Sequence, residues 1–501
     1  MKVQQFLEHH GLKENPFAEE DAQSDHIFQR FCLSATHHPA WNKIFGNPQH
    51  PSTSVVFGEK GAGKTALRLQ IVQELQKWNE EHPEEKVFIL EYDDFNPYLD
   101  TFRDRLHGRK RRPERVISYW RLWDHMDGIL SIGVNHLLNT ITGSHAGDGS
   151  VKQAFDQDKL TRLSRLEKRD LLLLAAFYNH SHDQPYKTRW HHLRKQLKFP
   201  SWKSNLDWVI ALILTVVMVV TLFWYGVQKL TYWWWLGLGA ALLVFWLPYL
   251  WRQVRLWWLG WRVSRQMRIF DHSPNLIRKV LSSFTRDEIQ GQPMPYKDRS
   301  DDRYELLRKF QGILKTLGFN SIVVLVDRMD EPHLINGNAE RIRDLLWPMF
   351  DNKFLKHPGL GFKMLLPAEV VYYLNREKDE FYERSRLDKQ NMIMSLEWTG
   401  ESLFDVANDR IRACATDSAG PVSTLTISDW FSDDISRDEL IRMFAQLRVP
   451  RHLFKFLHRL LVDHCQRYTD DNPHWKITHE ELNTAFMLHQ REQKSVESTG
   501  R

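Results

Sequence analysis

The sequence predicts an α/β fold: a parallel sheet with helices on both faces, a pair of long apolar helices inserted into it, and a helical region towards the end of the chain. Three observations predict it. The apolar run Ser54-Val55-Val56-Phe57 meets the glycine-rich stretch GEKGAGKT, Gly58 to Thr65, and then ALRLQIVQEL, whose apolar residues recur at helical spacing. A second, β-branched run from Ser321 to Val326 has the composition of a strand buried on both faces and ends in acidic residues. Between them lie two uncharged stretches, 20 residues from Trp208 to Val227 and 22 from Leu230 to Trp251.

The glycine-rich stretch comes first in the chain. Glycines at 58, 61 and 63 let the backbone curl so that successive N–H groups converge, and the helix that follows adds its positive end. A strand, this pattern and a helix together make a complete phosphate-loop signature. The candidate nucleotide-binding residues are Gly58, Glu59, Lys60, Gly61, Ala62, Gly63, Lys64, Thr65 and Ala66. Lys64 would reach the β and γ phosphates, and the Thr65 hydroxyl would ligate Mg2+. Lys86 to Glu91 predicts a further strand, and Asp104 to Arg115 (DRLHGRKRRPER) is a basic run expected on a loop. Such a run suits nucleic acid or acidic lipid, but is more often simply solvated. Residues 130 to 186 carry helical patterns without recognisable chemistry.

The two uncharged stretches are each long enough to cross a hydrocarbon core at about 1.5 Å per residue. Tryptophan crowds their ends, as expected at lipid headgroup level. Only Lys229 supplies charge between them, so they predict a transmembrane hairpin rather than a buried pair in a soluble core. Lys187, Arg189, Arg194, Lys195, Lys198 and Lys203 flank it before, and Arg252, Arg255, Arg262, Arg265 and Arg268 after. The positive-inside rule then puts both flanks, and both termini, in the cytoplasm of a two-span protein of the cell membrane, the inner membrane if bacterial. Trp251 to Phe270 mixes arginine with tryptophan and fits two arrangements equally: a helix along the membrane surface, or an extension of the span packed on the rest of the protein.

The acidic run completes the chemistry. Asp327 is the candidate second Mg2+ ligand, and Asp330 or Glu331 the carboxylate that orients or deprotonates an attacking water. Asp327 lies 263 residues beyond Lys64, and a hairpin explains the gap, since two crossings return the chain to the side it left. ATP is expected over GTP because no guanine-reading NKxD element is found.

A phosphate loop and an acidic strand with paired apolar segments between them resemble the KAP family of P-loop NTPases, within the wider STAND and AAA-like group. The opening GLKENPF before GEKGAGKTAL is also similar to the start of ExeA-type and origin-recognition-type ATPases, which implies that Asn15, Pro16 and Phe17 lie near the base. Gly361 to Pro367 resembles the next sheet strand, but it runs into Pro-Ala-Glu, ending at Glu369, where relatives carry a polar or basic sensor. Residues 401 to 412 and 447 to 454 look like the helical lid of these enzymes, which implies a γ-phosphate sensor role for Arg451. Arg384 and Arg386 would be fingers reaching a second copy in a homo-oligomer, or plain surface charge. The resemblance implies a membrane-associated ATPase switch or assembly motor, tied in some members to phage exclusion.

The expected organisation is therefore a first NTPase part at 1–130, a helical insertion at 131–203, the hairpin and membrane-proximal helix at 204–270, a second NTPase part at 271–398, a lid at 399–470 and a polar, disordered tail at 471–501. With 42% hydrophobic and 26% charged residues the chain is ordinary for a folded protein, and a net charge of +5 gives weak grounds for nucleic acid. Cys32, Cys414 and Cys465 are too scattered for a disulfide framework or a zinc site and fit a reducing compartment. The N-terminus lacks the apolar core of a signal peptide. A transporter is disfavoured because the spans carry no charge; a nucleotide-binding scaffold or sensor with little turnover is the rival reading.

Overall fold

The computed structural model describes residues 1–143, 157–180, 186–200, 206–225, 232–416 and 425–499. Five strands form one parallel sheet: β1 (Ser54–Gly58), β2 (Lys86–Tyr92), β3 (Phe319–Val326), β4 (Leu360–Pro367) and β5 (Asn391–Ile393). Their spatial order is β2-β3-β4-β1-β5. β1, β3 and β4 are largely apolar and almost wholly buried, as strands covered on both faces must be, and the buried Lys363 amine of β4 donates to the carbonyls of Ile44 and Ser52. Alternate side chains feed separate cores. Phe57, Phe88, Val324 and Phe362 point to one, and Val56, Ile89, Val323 and Leu365 to the other. The second core is closed by helix Lys64–Glu81 through Leu67, Ile71 and Leu75, the first by helices Leu122–Thr142, Arg165–Tyr178 and Asp301–Thr316.

A fully buried ion pair ties two of these covering helices together. The Arg303 guanidinium grips Asp127 in bidentate fashion, Nε to Oδ1 at 3.2 Å and Nη2 to Oδ2 at 3.1 Å, and the Tyr178 hydroxyl donates to the same carboxylate at 2.8 Å. The expected cut between residues 130 and 131 falls inside helix Leu122–Thr142, which packs on β2 and so belongs with the sheet.

β2 precedes the two apolar helices in the chain and β3 follows them, yet the two strands are paired from Val87↔Ser321 to Tyr92↔Val326. Both flanks of the inserted pair therefore return to one folded body. The pair comprises helices Leu206–Tyr225 and Tyr232–Gln266, long and apolar enough to cross a membrane. They run antiparallel, linked by Trp246 Nε1 donating to Thr215 Oγ1 at 3.1 Å and by Arg252 facing Asp207 at 3.2 Å. Their most apolar windows are 6% and 0% buried, which separates them from core helices of a soluble domain. The turn expected at Lys229, and Lys203 before the pair, lie outside the described residues.

The second helix does not stop where its apolar run ends. It continues to Gln266 and packs there on helix Pro274–Leu281, with Leu256, Gly260 and Val263 facing inward and Trp257, Trp258 and Trp261 exposed. Of the two arrangements open for Trp251 to Phe270, the packed extension is the one present. Gly260 permits this approach, because a Cβ there would lie 2.9 Å from the Pro274 carbonyl. The basic flanks also divide. Arg189 is buried among Asn135, Asn139 and Asn179, and Arg268 pairs with buried Asp124, so neither is a solvated cation beside the apolar runs.

Helices Gly400–Ala413, Arg437–Leu447, Pro450–Arg467 and His479–Thr499 form a C-terminal unit with its own core. Two expectations are corrected here. The tail expected to be disordered is largely the last of these helices, docked through Leu482 and Phe486 on the unit's core. The N-terminal segment, expected with the sheet, instead contributes Phe6, Leu7, Leu12, Phe17 and Ile27 to this C-terminal core. A buried Arg410 to Asp25 ion pair of 2.6 Å and a bridge between Leu12 and Ala415 fix it there.

Candidate functional site

The carboxyl ends of β1 and β3 open onto a cavity of ≈ 290 Å³, walled on its far side by the C-terminal unit and the N-terminal segment. In a parallel sheet this is the end at which ligands bind. Gly61 and Gly63 have φ of +92° and +91°, a region closed to most side chains, and helix Lys64–Glu81 starts immediately after with no side-chain cap. Its N-terminus, with Lys64, Thr65 and Ala66, faces the cavity, so its amides and positive end are available to an anion.

Lys60, Gly61, Gly63, Lys64, Thr65, Ala66, Asp327, Asp330, Glu331 and Arg451 all line this one cavity. Gly58, Glu59 and Ala62 do not line it and serve the loop's backbone. The Lys64 amine donates to the carbonyls of Gly58 at 2.7 Å and Glu59 at 3.1 Å, and the Ala62 carbonyl accepts from the Trp398 indole at 3.0 Å. Burial pulls the Lys64 pKa down from its ordinary value, against the attraction of Asp330, Asp327 and Glu369.

Asp327 is 2% exposed, and its Oδ2 has no hydrogen-bond partner. Burial raises its pKa, opposed first by Arg68. Arg68 is a residue the sequence reading missed. It lies one turn into helix Lys64–Glu81, with Nε 3.6 Å from Asp327 Oδ2 and Nη1 on Glu91 at 3.0 Å, and it also contacts Asp93. It thereby ties the acidic end of β2 to that of β3. An arginine one helical turn after the loop lysine, with EYDD closing the strand at β2, is the signal that would have found it. Asp327 and Thr65 both line the cavity, and a carboxylate and a hydroxyl are the oxygen donors that suit a hard cation. Among the described residues no group of three His, Cys, Asp or Glu side chains is arranged as a metal site.

Asp330 is partly buried. Glu331 is exposed, and its carboxylate lies 3.6 Å from Arg328, a residue held at φ +56°. Arg451 enters from the start of helix Pro450–Arg467, where its backbone N–H donates to the Gly61 carbonyl at 3.4 Å. A Cβ on Gly61 would sit 2.7 Å from that of Arg451. Gly61→Ala is therefore expected to destabilise the fold by ~1–2 kcal/mol of left-handed strain, before the displacement of Arg451 is counted. Denaturant unfolding of the variant beside wild type measures it.

Asn15, Pro16 and Phe17 do not line the cavity. Phe17 is buried one layer behind it, against Trp430 and Phe454, and Asn15 pairs with His458 at 3.0 Å. The wall is made instead by the residues that follow, including Asp25, Phe28, Thr36 and His38, a stretch with no motif in it. Glu369 is exposed beyond β4, and neither Arg384 nor Arg386 lines the cavity. The basic run is not a simple loop. It breaks into the end of helix Asn96–Arg105 and two short turns, and Arg105 reaches Asp271 and the Ser264 carbonyl. No protein-family model matches the chain, and no curated protein and no solved structure matches it either.

Proposed function

We propose that this chain is a membrane-anchored P-loop ATPase of the KAP type, which binds and hydrolyses ATP with Mg2+ on the cytoplasmic face and works as a nucleotide-driven switch or assembly motor, with bacterial phage defence as the setting the resemblance suggests. The observation that carries the reading is Asp327. A buried carboxylate with an unmatched oxygen shares a cavity with Lys64 and Thr65, although 263 residues separate it from Lys64. The loop amides and Lys64 bind the triphosphate, and Lys64, desolvated beforehand, gains a full anionic partner. Thr65 and Asp327 hold the cation, which when bound neutralises phosphate charge. Arg68, 3.6 Å from Asp327 Oδ2, opposes the burial that would protonate this carboxylate. Arg451 and Trp398, both touching the loop, make the C-terminal unit the lid that responds to the nucleotide.

Anchoring follows from the helical pair. Two crossings return both flanks to one sheet, and Lys187, Arg194, Lys195, Lys198, Arg255 and Arg265 leave the cationic side in the cytoplasm. Helices beginning at Val3 and His479 share the C-terminal core through Phe6 and Phe486, so both lie on that same side.

Asp330, closer to the field of Lys64 than its exposed neighbour, is the stronger candidate for orienting water. Asp330→Asn is expected to lower ATP turnover by about 10²-fold or more, and Glu331→Gln by less than about tenfold. Steady-state phosphate release from the full chain in detergent decides the order, and the reverse order transfers the role to Glu331. One observation favours a scaffold or sensor with little turnover: Lys64 is folded back on loop carbonyls and Arg68 sits where it competes for Asp327. Wild-type protein that binds ATP without releasing phosphate would establish that reading.

A further inference from the structure

Away from the cavity, the described residues hold a second concave site, beside the start of the helical pair. A cleft of ≈ 400 Å³ is lined by His191, Arg194, Lys195, Lys198, Phe199 and Pro200, with no acidic residue among them. Three cations, Arg194, Lys195 and Lys198, stand together around one opening, with the His191 ring beside them. Among the described residues Arg194, Lys195 and Lys198 have no acidic partner.

The cleft is built by local structure. Helix Tyr186–Gln196 ends in a reversed turn, where Lys198 N–H donates to the Lys195 carbonyl at 3.1 Å and Phe199 N–H to the Arg194 carbonyl at 3.2 Å. Lys198 takes φ +49° there, a left-handed conformation that glycine adopts more freely than lysine. Arg194 Nε donates to the Phe199 carbonyl at 3.3 Å and closes the turn. The turn leaves the Lys198 side chain exposed at the rim of the cleft.

Position supplies the ligand. Phe199 is buried against Phe284, with ring centroids 6.1 Å apart, and the Phe284 carbonyl accepts from Arg252 at 2.7 Å. Arg252 and its partner Asp207 mark where both apolar helices end. The cleft thus stands level with the edge of the apolar layer, where phosphates of lipid headgroups lie. We propose that the cleft of His191, Arg194, Lys195 and Lys198 binds the phosphate ester of an anionic phospholipid headgroup, fixing the height of the soluble body against the membrane. This rests on the reading of the helical pair as membrane-spanning.

The shared chemistry is a phosphate group between three permanent cations, so free phosphate and lipid must be told apart. The full chain is purified in dodecyl maltoside, exchanged with phosphatidylglycerol, phosphatidylcholine or inorganic phosphate, and its bound lipid counted by native mass spectrometry. The triple variant Arg194→Gln/Lys195→Gln/Lys198→Gln is expected to retain at least fivefold less phosphatidylglycerol than wild type, with phosphatidylcholine unchanged. Lys77→Gln/Lys315→Gln/Lys356→Gln, which removes the same charge from exposed lysines elsewhere, is expected to change nothing, and Lys198→Gly, which keeps the turn and removes one amine, to give a partial loss. Equal retention in wild type and the cleft variant, or equal loss in both triple variants, overturns the site. Displacement of the lipid by millimolar inorganic phosphate assigns the cleft to a soluble phosphate and overturns the lipid source. Extraction of the wild-type chain from native membranes by alkaline carbonate would instead sink the spanning reading, a result independent of lipid retention.

Discussion

Asp327→Asn is expected to lower ATP turnover by about 10²–10³-fold, the several kcal/mol that a bound cation contributes to phosphoryl transfer, while the protein stays folded. The asparagine keeps the shape of a side chain that is 2% exposed and removes a buried charge whose Oδ2 is unmatched. Burial already raises the Asp327 pKa, so the carboxylate costs stability that the amide does not. Arg68 keeps Glu91 and Asp93 as partners after the change. An unfolding midpoint at or above wild type, with phosphate release nearly abolished, is therefore the expected pair of results. A variant that unfolds early would show Asp327 to be a packing residue, and one that turns over normally would remove it from the cation site.

Asp127→Ala has the largest expected effect on stability. It leaves the Arg303 guanidinium fully buried with its bidentate partner gone, and deprives the Tyr178 hydroxyl of its acceptor. A loss of about 3–5 kcal/mol is expected, because the cost is that of an uncompensated buried charge and not merely of a missing contact. Asp127→Ala combined with Arg303→Met should recover much of it, since two neutral side chains replace one stranded cation. Denaturant unfolding of the purified chain, followed by tryptophan fluorescence, measures both. If the double variant were no better than the single, the penalty would lie in packing.

The parts of this molecule legible in the sequence are those governed by local pattern. The run at β1, the glycines of the loop, the buried strands β2, β3 and β4, and the two uncharged helices all state themselves within about twenty residues, because strand alternation, loop curvature and hydrocarbon length are short-range requirements. What escaped depends on contacts between distant segments. Residues 6 to 36 look like a leader to β1, and only the tertiary structure shows Phe6 and Phe17 filling a core whose other half begins at Leu403. The last helix was hidden by its polarity, since it buries a narrow stripe that includes Leu482 and Phe486. β5 has three residues, too few for any period to show. Arg68 was overlooked because its role exists only once β2 and β3 lie side by side.

That adjacency sets a timetable for biosynthesis. β2 leaves the ribosome roughly 230 residues before β3, and β1 earlier still, a delay of at least roughly ten to forty-five seconds at ordinary elongation rates. Throughout it the nascent chain carries strands made to be covered on both faces, with their neighbours still unmade. Until translation delivers β3 and β4, those apolar strands stand open to aggregation.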